Sequence, residues 1–96
     1  MEEAEREETQ SLMLDGNALA GLLYEVFNTE MTITSVECRS CGRIGELGSL
    51  WAFKETPGYV LRCPGCQGIV LRITVTPGDI YLDGRGAAYF RIPKRI

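Results

Sequence analysis

The spacing of apolar positions changes near residue 30 and divides the chain into two parts. Before that point Ala18, Leu19, Leu22, Leu23, Val26 and Phe27 recur at intervals of three and four. This predicts one amphipathic helix over Leu14–Phe27. Asp15 is placed to cap it, because its carboxylate can accept from the orphan N–H groups of the first turn. Asn28-Thr29 is a fair stop, and the cap accounts for Asp15-Gly16-Asn17 without a ligand loop. The apolar face is expected to pack on a sheet as core. Its alternative use is as an oligomer contact. Met1–Ser11 has no periodic apolar positions and reads as a disordered acidic tail, with an interaction arm as the other reading.

After residue 30 the period shortens to two. Met31–Glu37 alternates threonine with apolar residues and predicts a strand. Ile44–Glu55 predicts another, with a bulge at Gly45 or Gly48. Thr56-Pro57-Gly58 is turn chemistry, with Pro57 and then Gly58 at the central positions and Gly58 free to take a positive φ. Tyr59–Arg62 returns as a strand. Ile69–Thr76 is the clearest of all, with Ile69, Leu71, Ile73 and Val75 on one face and Val70, Arg72, Thr74 and Thr76 on the other. Thr76-Pro77-Gly78-Asp79 turns the chain again, and Ile80–Asp83 and Ala87–Ile92 follow as strands joined through Gly84-Arg85-Gly86. Pro93 ends the pairing.

Four cysteines interrupt this strand region as Cys38-Arg39-Ser40-Cys41-Gly42 and Cys63-Pro64-Gly65-Cys66-Gln67-Gly68, with 21 residues between the two pairs. A Cys-x-x-Cys knuckle turns both of its sulfurs toward one point. Two knuckles brought together by a hairpin supply the four ligands of a closed tetrahedral site. Gly42, after the second cysteine, suits a positive φ that turns backbone N–H groups toward sulfur. Cys38, Cys41, Cys63 and Cys66 are therefore the candidate metal ligands. The expected cofactor is one structural Zn²⁺ per chain.

Length, charge and composition restrict the alternatives. At 96 residues the chain is one domain with a limited core, which a metal can staple. Residues 1–11 form the tail, 12–93 a single domain and 94–96 a basic end. The start Met1-Glu2-Glu3-Ala4-Glu5-Arg6-Glu7-Glu8 does not read as a signal peptide, and no apolar run is long enough to cross a bilayer. A reducing cytoplasmic setting is thus expected, in which paired cysteines mean metal or redox chemistry rather than two disulfides. A rubredoxin-like iron site would use the same sulfurs. Dithiol exchange would need a Cys-x-x-Cys at a helix N-terminus, whereas both pairs lie between strands.

The chain has no histidine, which removes His-based acid–base catalysis and mixed Cys/His metal sites. Carboxylates are scattered and no glycine-rich phosphate loop precedes a helix, so no enzyme is expected. Residues 1–30 carry eight acids and one base, while residues 31–96 carry nine bases and five acids. That surplus beside Arg39, Arg43, Arg62 and Arg72, with Trp51, Phe53 and Tyr59 between the knuckles, allows a nucleic-acid surface. Arg85, Arg91, Lys94 and Arg95 allow a second. The plainer reading makes Trp51 and Phe53 core and the arginines a solvated face.

Taken together, Leu14-Asp15-Gly16-Asn17-Ala18-Leu19-Ala20-Gly21, Glu25-Val26-Phe27, both knuckles, Val70-Leu71-Arg72-Ile73 and Tyr81-Leu82-Asp83-Gly84-Arg85-Gly86 resemble a family of small bacterial proteins, mostly actinobacterial, known only as a domain of unknown function. The resemblance covers about Leu14 to Pro93 and leaves Met1–Gln10 outside. It implies a zinc-ribbon-like cytoplasmic protein and supplies no activity. The fold expected is α+β, a small zinc-ribbon-like antiparallel sheet of five to six strands with one N-terminal helix. The function expected is a non-enzymatic zinc module acting through a protein partner or as a homo-oligomer. A nucleic-acid-binding ribbon in transcription or translation is the alternative. Neither a membrane nor a small-molecule substrate is expected.

Overall fold

A computed structural model describes residues 13–94, so the acidic segment 1–11 and the end residues 95 and 96 lie outside the described residues. The fold is α+β, with two antiparallel sheets where one was expected. Strands β1 (Met13–Asp15), β4 (Trp51–Glu55), β5 (Gly58–Arg62), β6 (Ile69–Val75) and β7 (Ile80–Asp83) make a five-stranded sheet in the order β1-β4-β5-β6-β7. Strands β2 (Ser35–Cys38), β3 (Ile44–Glu46) and β8 (Ala87–Arg91) make a three-stranded sheet in the order β3-β2-β8. One helix, α1 (Ala20–Phe27), packs on the larger sheet and contributes to the same core. Among the described residues no helix is long and apolar enough to cross a membrane.

The N-terminal helix is shorter than its apolar spacing predicts. Leu14 and Asp15 pair as strand with Ala52 and Trp51, and Gly16–Leu19 forms a 3-10 turn before α1 begins. Asp15 makes no side-chain cap. The reason is Gly16, whose N–H donates to the Leu50 carbonyl at 2.8 Å and whose missing side chain would sit 2.0 Å from the Leu47 oxygen. That close approach ties the segment to a neighbouring strand instead of a helical turn. The expected stop holds: Asn28 takes a left-handed φ of 54° and donates to the Tyr24 carbonyl.

The apolar face shared by the 3-10 turn and α1 divides. Leu19 and Leu23 are buried with Leu50, Ala52, Leu61, Leu71 and Ile73, whereas Leu22 and Phe27 pack at the edge of that core and Ala18 is exposed. Complete burial of one leucine is worth roughly 1.5–3 kcal/mol, and Leu23 is the one fully buried side chain by which the eight-residue helix is anchored.

Two strands begin or break where side-chain chemistry overrides the period of two. Thr32–Ile33 is turn, because the Glu30 carboxylate accepts from the N–H and hydroxyl of Thr32 and the Thr34 N–H returns to the Met31 carbonyl. The predicted strand Met31–Glu37 therefore starts at Ser35. The predicted strand Ile44–Glu55 is cut by a 3-10 turn, Leu47–Ser49, and its halves enter different sheets. Gly48 sits in that turn because a Cβ there would lie 2.3 Å from Asn17 Oδ1. Gly58 likewise serves close approach rather than a positive φ, since its Cβ would meet the Ile73 oxygen at 1.8 Å. On β6 the ladder slips by one residue: Leu61 faces Leu71, Arg62 faces Ile69, and Val70 between them turns into the core. Strand β8 ends at Arg91, one residue before its predicted limit.

Candidate metal centre

The two knuckles are built alike. In the first, the Cys38 N–H donates to the Arg43 carbonyl at 2.8 Å and the Gly42 N–H to the Cys38 carbonyl at 2.8 Å. In the second, the Cys63 N–H donates to the Gly68 carbonyl at 2.9 Å and the Gln67 N–H to the Cys63 carbonyl at 2.7 Å. The residue after the second cysteine takes a positive φ in both, 79° at Gly42 and 64° at Gln67. Each loop thus folds back on its own backbone and leaves its two sulfurs on one side. Gly42 does what its position predicts. Its counterpart is Gln67, which nothing in the residue type announces.

All four sulfurs lie within 4.8 Å of one another. Two approaches cross between the knuckles, Cys38 to Cys66 at 3.6 Å and Cys41 to Cys63 at 3.7 Å. A tetrahedron with metal–sulfur bonds of about 2.3 Å has edges of about 3.8 Å, whereas a disulfide needs about 2.05 Å. The cluster can therefore hold a metal ion, and its sulfurs stand too far apart to be bonded pairs. Cys38 and Cys63 are buried, and Cys41 and Cys66 face solvent.

Backbone donors aim at the sulfurs. The Gly65 N–H reaches Cys63 Sγ at 3.3 Å and the Gly68 N–H reaches Cys66 Sγ at 3.4 Å. Such donors stabilise thiolate, the form that binds metal. At Cys63 desolvation pushes the thiol pKa up, but the amides of Cys66 and Gly65 and the neighbouring thiols outweigh it and bring it down to about 7. At Cys41 the Arg43 amide pulls the other way, yet desolvation and the surrounding thiols leave that group at about 11. Arg62 adds a support from outside, donating from Nη1 to the Gln67 carbonyl at 2.7 Å.

The site joins the two sheets. Cys38 is the last residue of β2 in the smaller sheet, while Cys63 and Cys66 stand between β5 and β6 of the larger one. Beside it the Arg39 N–H donates to the Gly86 carbonyl at 2.9 Å, one step beyond the Cys38–Ala87 pair of the β2–β8 ladder. Gly86 itself presses on β6, since a Cβ there would meet the Ile69 oxygen at 1.8 Å.

Some of the basic and aromatic residues near the knuckles already have partners within the chain. Arg72 pairs with Glu55 and Arg62 is held on Gln67. Tyr59 packs against the core, and Trp51 and Phe53 are half-buried on β4. Of the second set, Arg85 binds Asp83 at 2.7 Å through Nη2, which holds the Asp83 carboxyl below the usual range. Arg95 lies outside the described residues.

One family model, described as a family of unknown function (DUF6510), matches residues 6–95. The match extends further at both ends than the motifs suggest and takes in half of the acidic segment expected to lie outside it. No curated protein matches the chain, and no solved structure does.

Proposed function

The chain belongs to the family of unknown function DUF6510, and from the site itself we propose that it is a non-enzymatic zinc protein whose metal has a structural role. The supporting observation is the pair of cross-knuckle sulfur distances, 3.6 and 3.7 Å, close to the edge of a zinc–thiolate tetrahedron. Zn²⁺ suits four thiolates because it is borderline-soft and, being d¹⁰, accepts tetrahedral geometry without electronic cost. Cys38, Cys41, Cys63 and Cys66 would fill its coordination shell, leaving no position for a reacting water. The ion would fasten the three-stranded sheet to the five-stranded one. Its binding can supply on the order of 10 kcal/mol to folding, comparable with the whole stability of a small domain. The surfaces fixed in this way would act through contact with another protein, in a cytoplasmic setting.

Metal content and absorption of purified protein test this reading. One zinc per chain and a colourless solution are expected, and Cys63→Ser should lose the metal together with cooperative unfolding. Iron, with its visible thiolate charge-transfer bands, would replace zinc in the assignment. Metal-free protein whose circular dichroism is unchanged by chelator would end it.

A further inference from the structure

Strand β7 is an outer strand of the five-stranded sheet, and among the described residues its far side carries no partner. Such an edge offers unpaired N–H and C=O groups, and proteins ordinarily blunt it with lysine, proline, a bulge or a very short strand. The other outer strands show these devices: β1 and β3 are three residues long, and the ladder to β8 is broken by a register shift at Glu37/Cys38. Strand β7, one residue longer than β1 and β3, carries no lysine, proline or bulge. Ile80, Tyr81 and Leu82 are 37%, 61% and 40% exposed, and the strand has no charge before Asp83.

The hydrogen bonding fixes which backbone groups face outward. The Val75 N–H donates to the Pro57 carbonyl, so Val75 points its peptide groups toward β5, and Thr74 and Thr76 point theirs toward β7. The Thr76 N–H indeed donates to the Asp79 carbonyl. Tyr81, opposite Thr74, is therefore bonded inward, and the N–H and C=O of Ile80 and Leu82 project from the edge. An antiparallel strand added here must bond to Ile80 and Leu82.

We propose that β7 is the interface of a two-fold homodimer in which the sheets of two copies join edge to edge about an axis through Leu82. Charge selects both the partner and the register. Asp79 precedes β7 and Arg85 sits in the turn that follows it, so two antiparallel copies with Leu82 facing Leu82 bring each Asp79 toward the end of β7 from which the other copy's Arg85 projects, twice by symmetry. The register one step away centres on Tyr81 and sets Asp79 against Asp83, which is repulsive. The axis through Leu82 also places Ile80 beside Gly84 of the second copy, a position without a side chain next to Phe90 and Leu71 whose carbonyl already accepts from the Ala87 N–H, so the reciprocal Leu82 pair carries the added ladder. The Arg85 guanidinium is 89% exposed while bound to Asp83, and keeps N–H donors for a second carboxylate.

Sedimentation equilibrium and amide hydrogen exchange on the full chain test this together. Twice the chain mass is expected at high concentration, with the dissociation constant rising with salt. Leu82→Lys sets two like charges on the axis and should raise that constant about tenfold or more with the fold's circular dichroism intact. Asp79→Asn should raise it less and flatten the salt dependence. In the unmodified protein the Leu82 amide should gain protection as concentration rises, while the inward-bonded Tyr81 amide is protected throughout. A protein that stays monomeric at millimolar concentration overturns the proposal. So does a dimer indifferent to Leu82→Lys, or one in which the Leu82 amide exchanges freely; this last measurement decides even if the lysine variant does not fold.

Discussion

Because the two knuckles are built alike, they contain an internal experiment. Gly42 and Gln67 hold equivalent places, with φ of 79° and 64°, yet only one is glycine. An L-residue in the left-handed region pays about 1–2 kcal/mol for its Cβ, whereas glycine gives up an extra 0.5–1 kcal/mol of chain entropy on folding. Gln67→Gly should therefore stabilise the metal-loaded protein by about 0.5–1 kcal/mol, or raise Tm by about 2–8 °C at this chain length. The side chain of Gln67 is exposed, and Arg62 holds only its carbonyl, so the change removes no packing and no hydrogen bond. Gly42→Ala should cost about 1 kcal/mol, and backbone strain is its cause, because nothing lies within 4 Å of the added Cβ. Urea unfolding of both variants at saturating metal measures the pair. Shifts of the same sign, or a Gln67→Gly protein less stable than its parent, would refute the equivalence of the knuckles.

Other expected outcomes concern the core, the close approaches and the support of the second knuckle. Leu23→Ala empties a fully buried position under α1 and should cost about 2–5 kcal/mol in urea unfolding, whereas Tyr24→Ala on the exposed side should change little. Gly58→Ala drives a methyl into the Ile73 carbonyl and should lower stability by about 1–3 kcal/mol or more, with β5 and β6 amides exchanging faster. Arg62→Met removes the donor to the Gln67 carbonyl while keeping most of the stem. It should cost about 0.5–1.5 kcal/mol and quicken metal loss to a chelator, both read in one competition series.

The cysteines, the helix stop and the strands from Gly58 onward were legible because their determinants are local. A Cys-x-x-Cys loop closes on itself, and β6 and β7 are bounded by their own Pro/Gly turns. Where the sequence misled, the deciding partner lies far along the chain. Asp15 suits a helix cap and an edge strand equally, and the Leu50 carbonyl that settles the matter is 35 residues away. Ile44–Glu55 reads as one strand because only Asn17 and the Thr32 carbonyl, pressing on Gly48, reveal that its halves part into different sheets. Val70 is polar-facing by count and buried by a bulge that belongs to β5 as much as to β6. The site was legible as four cysteines brought together. Its place between two sheets was not, since no cysteine spacing records which sheet a neighbouring strand joins.

The order of strands has a consequence for anyone who would divide this protein. Neither sheet is a continuous piece of chain: the smaller one takes Ser35–Glu46 and then Ala87–Arg91, and most of the larger one is threaded between them. A break in the hairpin at Thr56-Pro57 would leave both sheets incomplete in both halves. It would also leave two sulfurs on each, Cys38 and Cys41 on one and Cys63 and Cys66 on the other. With the proposed metal in place, neither half could mature alone, and their reunion would wait on the ion. The fold thus lends itself to a split pair whose reassembly reports metal, and it offers no autonomous fragment to cut away.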